Sequence, residues 1–191
     1  MYKKVETNEE MRIFDSIWIP AWQEKGFELE CQLGQVERFL ISNYKEYIGT
    51  LSLRPYNNDS TIDDVFKFRE INMIKGNSGY VIEIEKFAIA KKYRGIKNLQ
   101  LMMLTILELA RNNHCKYYIA VIDSVFCHVI QKVSPSTVFK LGSTIKYKNT
   151  SLVPIIVDVQ NAISNISIYN QLEKFYPTNK ETLYLQTKAD T

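Results

Sequence analysis

The feature that most constrains this chain is an unbroken strand, turn and helix between Tyr80 and Asn113. Tyr80–Ala90 (YVIEIEKFAIA) alternates apolar and charged side chains and then becomes almost wholly apolar, as a central strand does when it leaves an edge and enters a core. A basic turn follows, Lys91 to Asn98 (KKYRGIKN), and then a strongly apolar helix, Leu99–Arg111 (LQLMMLTILELAR). This order points free backbone N–H groups and the positive end of a helix dipole at one spot, where Lys91, Lys92, Arg94 and Lys97 add charge. The expected ligand of the turn is an anion, a phosphate or pyrophosphate.

Composition sets the frame around that unit. With 191 residues, 46% of them hydrophobic, and no long low-complexity tract, the chain reads as one α/β domain over residues 1–191. It lacks an apolar run of about 18 residues, and its N-terminus lacks an apolar signal core, so a cytoplasmic protein with no membrane insertion is expected. Cys31, Cys115 and Cys127 have neither disulfide nor metal spacing and read as free thiols, with no metal site. A net charge of +3 suits an acidic carrier or a phosphate-bearing donor and is too small to indicate nucleic acid.

Along the chain, a short strand near Tyr2–Val5 precedes a helix with Thr7 and Glu10 at capping-box spacing. Pro20 is expected to kink or end that helix and to leave Trp22 and Phe27 on an irregular segment, with Trp18 in the core. Gln35–Ser42 and Tyr47–Arg54 predict a hairpin. Pro55–Gly79 is polar and irregular, with a short helix around Ile62–Glu70, and a loop of that length is expected to be functional or disordered. Tyr117–Ile122 predicts a buried strand, and Asp123 or Ser124 caps a helix that runs to about Val133. Val138–Lys148 and Leu152–Val159 predict closing strands, and residues 160–191 a last amphipathic helix, about Asn161–Phe175, and a tail.

The Tyr80–Asn113 unit resembles the acyl-donor motif of the GNAT superfamily of N-acyltransferases, with Arg94-Gly95 where the family's Arg-Gly falls. Glu83-Ile84-Glu85-Lys86-Phe87-Ala88-Ile89 is similar to the Glu-x-Ser-Arg-Phe/Leu-Ala-Val strand of acyl-homoserine lactone synthases and long-chain N-acyl amino acid synthases. Gly49-Thr50-Leu51 and the strand Val153–Val159 resemble the same branch, and the likeness covers about Tyr47 to Val159. Where the superfamily commonly has two further glycines after Arg-Gly, this chain has Lys97 and Leu99. The resemblance implies a mixed, bent sheet of about seven strands flanked by helices. It also implies a co-substrate, acyl-coenzyme A or the acyl-phosphopantetheine of a carrier protein, bound at Phe87, Ala88, Ile89, Arg94, Gly95, Lys97, Asn98 and Leu99.

Transfer of an acyl group to an amine needs a base, donors for the developing oxyanion, and a route for the leaving thiolate. The motif match assigns the base to Glu83. The alternative is that Glu83 and Glu85, which share one face, form a solvated strand surface. The oxyanion donor is expected to be a main-chain N–H near Phe87–Ile89. Ser124, Cys127 and His128 are the polar candidates where many family members carry a Tyr acid, with Ser124 and His128 taken as candidate catalytic residues. Lys86 stands in place of the motif's Arg, Ser52 in place of the Arg that follows Gly-Thr-Leu, and Arg54 lies on the same face as Ser52. Lys86 and Arg54, with Trp22 and Phe27 of a helical lid over residues 1–27, are the candidate substrate contacts.

The expected function is N-acyl transfer from acyl-coenzyme A or acyl carrier protein to a small-molecule amine such as an amino acid or polyamine, in a monomer or homodimer. Three other readings stay open: an acyl-homoserine-lactone-type signal synthase, a non-catalytic acyl-donor sensor, and an acyltransferase acting on protein lysines.

Overall fold

The apolar and charged alternation of Val81–Ile89 becomes the fourth of eight strands in one mixed sheet of the computed structural model, which describes residues 2–29, 35–43, 45–133, 136–147 and 150–164. The strands are β1 (Tyr2–Lys4), β2 (Glu37–Ser42), β3 (Tyr47–Pro55), β4 (Val81–Ile89), β5 (Tyr117–Asp123), β6 (Val138–Lys140), β7 (Ile145–Tyr147) and β8 (Thr150–Asp158). The helices are α1 (Asn8–Lys25), α2 (Ile62–Val65), α3 (Ile96–Asn112), α4 (Ser124–Val133) and α5 (Val159–Ser164). The sheet runs β1-β2-β3-β4-β5-β8-β6, with β7 also on β8. Among the described strands only β4 and β5 pair in parallel, joined by the α3 crossover, and every other pairing is antiparallel.

Period-two patterning sorts the sheet into two unlike faces. One face is apolar throughout: Phe39, Leu51, Tyr118 and Ile155 meet Leu99, Met102 and Ile106 of α3, with Cys127 and Ile130 of α4 beside them. The other face carries two separate apolar clusters. Phe14, Ile17 and Trp18 of α1 cover Leu40 and Ala88, while Tyr56, Ile62, Phe68 and Ile74 cover Val81, Ile119 and Ile156. A polar stripe lies between them.

Thr7 caps α1 as its sequence predicts, and Glu10 closes the box by accepting the Thr7 N–H at 3.1 Å. Pro20, however, does not end the helix. α1 runs on to Lys25, and Trp22 is helical. A proline inside a helix costs about 3 kcal/mol in isolation, and the burial of Phe14, Ile17 and Trp18 against the sheet outweighs it. The helix stops instead at Gly26, in the left-handed conformation at φ 70°, with the Phe27 N–H bonded to the Trp22 carbonyl at 3.0 Å.

The segment Pro55–Gly79, expected to be irregular with a short helix around Ile62–Glu70, forms a packed unit made of α2 and 3-10 turns, one of them at Phe68–Glu70. Its centre is Asp63, 2% exposed, which accepts from the Tyr56 hydroxyl at 2.8 Å and the Phe68 N–H at 2.7 Å and pairs with Arg69. The strand expected over 138–148 is divided into β6 and β7, which meet different stretches of β8. Gly142 lies between them, where a Cβ would come within 2.9 Å of the Phe66 ring. The last helix begins at Val159, and its predicted continuation past residue 164 lies outside the described residues. Among the described residues no helix is long and apolar enough to cross a membrane.

Candidate active site

The site begins with an irregularity in β4. Thr50 pairs with Ala88 and Ser52 with Glu85, so two residues of β4, Lys86 and Phe87, stand opposite Leu51 alone. Lys86 adopts φ 47°, a conformation lysine rarely takes, and the Thr50 hydroxyl donates to its carbonyl at 3.0 Å. The bulge keeps the Lys86 side chain on the α1 face, 8% exposed, with its ammonium 4.1 Å from the Trp18 ring centroid. It turns Phe87 to the opposite face, where its ring lies 5.4 Å from that of Phe126 on α4.

Just before the bulge, β4 leaves its parallel partner. The two strands pair only from Val81↔Tyr117 to Glu83↔Ile119. Thereafter β4 follows β3 and β5 follows β8, so a wedge opens between them. On the β4 side, the Ala90 N–H bonds to Ile48 on the β3 side at 2.9 Å, whereas the Ile89 carbonyl accepts from Arg94 Nε at 3.4 Å and faces the other way. Main-chain groups of Phe87–Ile89 therefore border the wedge. Glu83 sits at its vertex.

Glu83 is 5% exposed, which excludes a solvated strand surface. On the same face stand Glu85, Ser52 and Arg54, placed by the registers Ser52↔Glu85 and Arg54↔Glu83. Arg54 Nε lies 3.2 Å from Glu85 Oε1. Burial, the charge of Glu85 and a hydrogen bond to the Glu85 carboxyl push Glu83 well above the ordinary carboxylate range. Glu83 Oε2, Glu85 Oε2 and Ser52 Oγ are buried without hydrogen-bond partners.

Past the wedge, Lys91–Tyr93 form a 3-10 turn and Gly95, at φ 154°, begins α3. No side chain caps that helix, so its first N–H groups face outward beside Arg94, Gly95 and Lys97. Asn98 instead bridges the turn, donating to the Tyr93 carbonyl at 2.6 Å, and Leu99 is buried in the core beneath α3. Arg94 is engaged: Glu24 accepts from both of its terminal nitrogens, at 3.1 and 2.7 Å. Between α1 and the turn lies an open cavity of about 510 Å³, lined by Pro20, Ala21, Glu24, Ala90, Lys91 and Arg94.

The end of α1 reaches the far side of the wedge as well. Lys25 lies 3.6 Å from Asp123 at the end of β5. Trp18, Trp22, Phe27 and Tyr147 form a row of rings with successive centroids 5.8 Å apart. Asp123, rather than Ser124, caps α4, accepting the Val125 and Phe126 N–H groups at 3.0 and 3.1 Å. Ser124 is half-buried, His128 is exposed, and the α4 side chain set against Phe87 at the wedge is Phe126. Cys115 and Cys127 are buried free thiols.

Glu24 and Lys25 carry no local signal in the sequence, since their partners Arg94 and Asp123 are remote, and Asp123 is visible there only as a helix cap.

The fold recurs in solved structures. FeeM, an N-acyl amino acid synthase from uncultured soil microbes, superposes with a TM-score of 0.68 at 12% identity, over 84% of this chain and 92% of that one. MesI, a CoA-dependent acyl-homoserine lactone synthase, matches with a TM-score of 0.62 at 14% identity, over 88% of each chain. BjaI, another such synthase, solved with SAM and isopentyl-CoA, matches with a TM-score of 0.61 at 16% identity, over 84% of this chain and 79% of that one. These likenesses establish a shared fold. No curated protein matches in sequence. The sequence model of the Acetyltransferase (GNAT) family matches residues 7–126, and with the bulged strand, the wedge and the uncapped helix all in place, the chain is an acyltransferase that belongs to that family.

Proposed function

We propose that this protein is an N-acyltransferase that moves an acyl group from acyl-coenzyme A or an acyl carrier protein to a small-molecule amine by direct attack on the thioester. The observation that carries this reading is the position of Glu83: a buried carboxyl at the vertex where β4 parts from β5. The donor's phosphates would meet the N-terminus of α3 and the basic turn, and its pantetheine would enter the wedge. The exposed Lys91, Lys92 and Lys97 suit either nucleotide phosphates or an acidic carrier.

In that arrangement the amine lies on the polar stripe under the rings of Trp18, Trp22 and Phe27. Glu83 removes a proton from the nitrogen as it attacks the carbonyl carbon, and the oxyanion is held by main-chain N–H groups of Phe87–Ile89. The C–S bond then breaks and the thiolate takes up a proton. Phe126 offers none at the wedge, so solvent, or Ser124 after a local rearrangement, must supply it. Arg54 and Lys86 border the same stripe as the two glutamates, Arg54 ion-paired to Glu85 and Lys86 over Trp18, and there they would meet the acceptor.

The test is Glu83→Gln assayed with acyl-coenzyme A and a panel of amines. Donor binding should survive while transfer falls by roughly two to four orders of magnitude. A variant with wild-type turnover would remove Glu83 from the chemistry. Donor binding without turnover of any amine by the wild type would favour the acyl-donor sensor.

A further inference from the structure

Glu85 stands where the strand motif that this chain resembles has a serine, and the structure gives the extra carboxyl a specific neighbourhood. Arg54 lies straight across from Glu83, yet its Nε reaches diagonally to Glu85 at 3.2 Å. Glu85 thus holds the fixed positive charge, and Glu83 has Glu85. Glu83 Oε2 and Glu85 Oε2 are both buried and unpartnered. Two ionised carboxylates in one buried stripe, with the Arg54 guanidinium drawn to Glu85, repel each other and are poorly solvated; one proton between them removes the repulsion and makes a hydrogen bond.

The other charged groups around the pair leave that balance in place. Asp63, from the packed segment before β4, adds a further negative charge felt by Glu83, and Arg69 is paired with Asp63. The Lys86 ammonium lies over Trp18 of α1, and Arg38 of β2 is placed opposite Ser52, one strand further off. From β5 the neighbour is Ile119, which is apolar.

We propose that Glu83 and Glu85 act as one acid pair that shares a proton, with Arg54 fixing the charge on Glu85, so that Glu85 is a positioning residue that decides when Glu83 becomes a base. This rests on the reading of Glu83 as the base. The consequence is a preference for cationic acceptors. An ammonium entering the stripe brings the positive charge that the pair lacks, and the shared proton leaves to solvent. Glu83 first takes one proton from the ammonium, which restores the pair and frees the nitrogen lone pair for attack; as the C–S bond breaks, the second proton that the nitrogen gives up is passed through solvent to the departing thiolate. The sum is amide, thiol and one proton from ammonium and thioester.

The experiment is a pH titration by NMR of the whole chain, without ligand, labelled with carbon-13 at the glutamate side-chain carboxyls. In the wild type the Glu83 signal should move through a transition above the ordinary carboxylate range, the Glu85 signal should respond to that same transition, and Glu83→Gln should abolish it. In Glu85→Gln the Glu83 signal should titrate at least about one pH unit lower. Glu85→Ser replaces that variant if it does not fold, and Arg54→Met should move the transition the other way. A wild-type Glu85 signal that does not respond to that transition, or an unchanged Glu83 signal without Glu85, would overturn the pair and leave burial as the cause. Wild-type turnover by Glu83→Gln alongside the expected titrations would instead sink the assignment of the base while the pair stands.

Discussion

Glu24 holds Arg94 by both terminal nitrogens, at 3.1 and 2.7 Å, although the two residues lie 70 positions apart in the chain. Hydrogen bonding to Arg94 keeps the Glu24 carboxyl below its usual range. Both partners are well exposed, so the pair adds little to stability. Its effect falls on ligands: the arginine beside the helix N-terminus meets an anion only in competition with a carboxylate already in place.

Glu24→Gln should therefore tighten the binding of coenzyme A, and Arg94→Glu should weaken it by about tenfold or more. Isothermal calorimetry at fixed ionic strength reads both. Equal affinity in all three proteins would place the donor's phosphates away from this turn.

The protonation of Glu83 predicts a pH-dependent stability with a definite sign. The folded state holds this proton more tightly than the unfolded chain does, so stability is lost as pH rises from the unfolded carboxylate value, about 4.3, through the raised folded one. Glu83→Gln lacks that loss. Its melting temperature should match the wild type near pH 4 and exceed it by several degrees near pH 8, as followed by circular dichroism. A gap that does not change with pH would mean that Glu83 is ionised in the folded protein.

Asp63→Ala should destabilise the fold by about 3 kcal/mol, because it leaves the Tyr56 hydroxyl and the Phe68 N–H unsatisfied around a buried gap, while the exposed Arg69 loses its partner to solvent at little cost. Urea denaturation measures it. A deletion within residues 57–64 is expected to unfold the protein for the same reason, and a deletion variant that kept its melting temperature would show the segment to be dispensable for folding.

Gly49→Ala tests the support beneath the bulge. A Cβ at Gly49 would fall 2.6 Å from Met102 Sδ and 2.8 Å from the Ala88 carbonyl, and the second of these is backbone that cannot swing aside. Overpacking of this kind costs about 1–3 kcal/mol. Comparison of the loss of stability with the loss of donor affinity shows whether the bulge itself has moved.

Much of this fold was legible because its signals are local. The strand, turn and helix from 80 to 113 follow from periodicity, and the start of α1 follows from a capping box four residues long. What sequence did not give is non-local. Pro20 predicts a kink or an end because an isolated helix would be disrupted there, and the packing of Phe14 and Trp18 on the sheet carries α1 through it. The bulge at Lys86 has no residue-type signature, since nothing in a lysine announces a positive φ. Glu83 stood out through its place in a strand motif, but its partnership with Glu85 and Arg54 needed the register of β3 against β4. Glu24 was invisible, for its meaning lies in where the far end of α1 comes to rest.

The parting of β4 from β5 has a cost for solution behaviour. A strand in mid-sheet normally presents no free edge, but here, among the described residues, the stretch Ile84–Ile89 has no strand partner on the β5 side, and four of its six residues are apolar. α1 lies across that stretch and is tied at its end to both sides of the gap through Arg94 and Asp123. Loosening of α1 would turn an interior opening into an adhesive strand edge, able to recruit the same segment of a second molecule. Aggregation on heating should therefore begin before the sheet itself melts, and a donor seated in the wedge should delay it by occupying the edge.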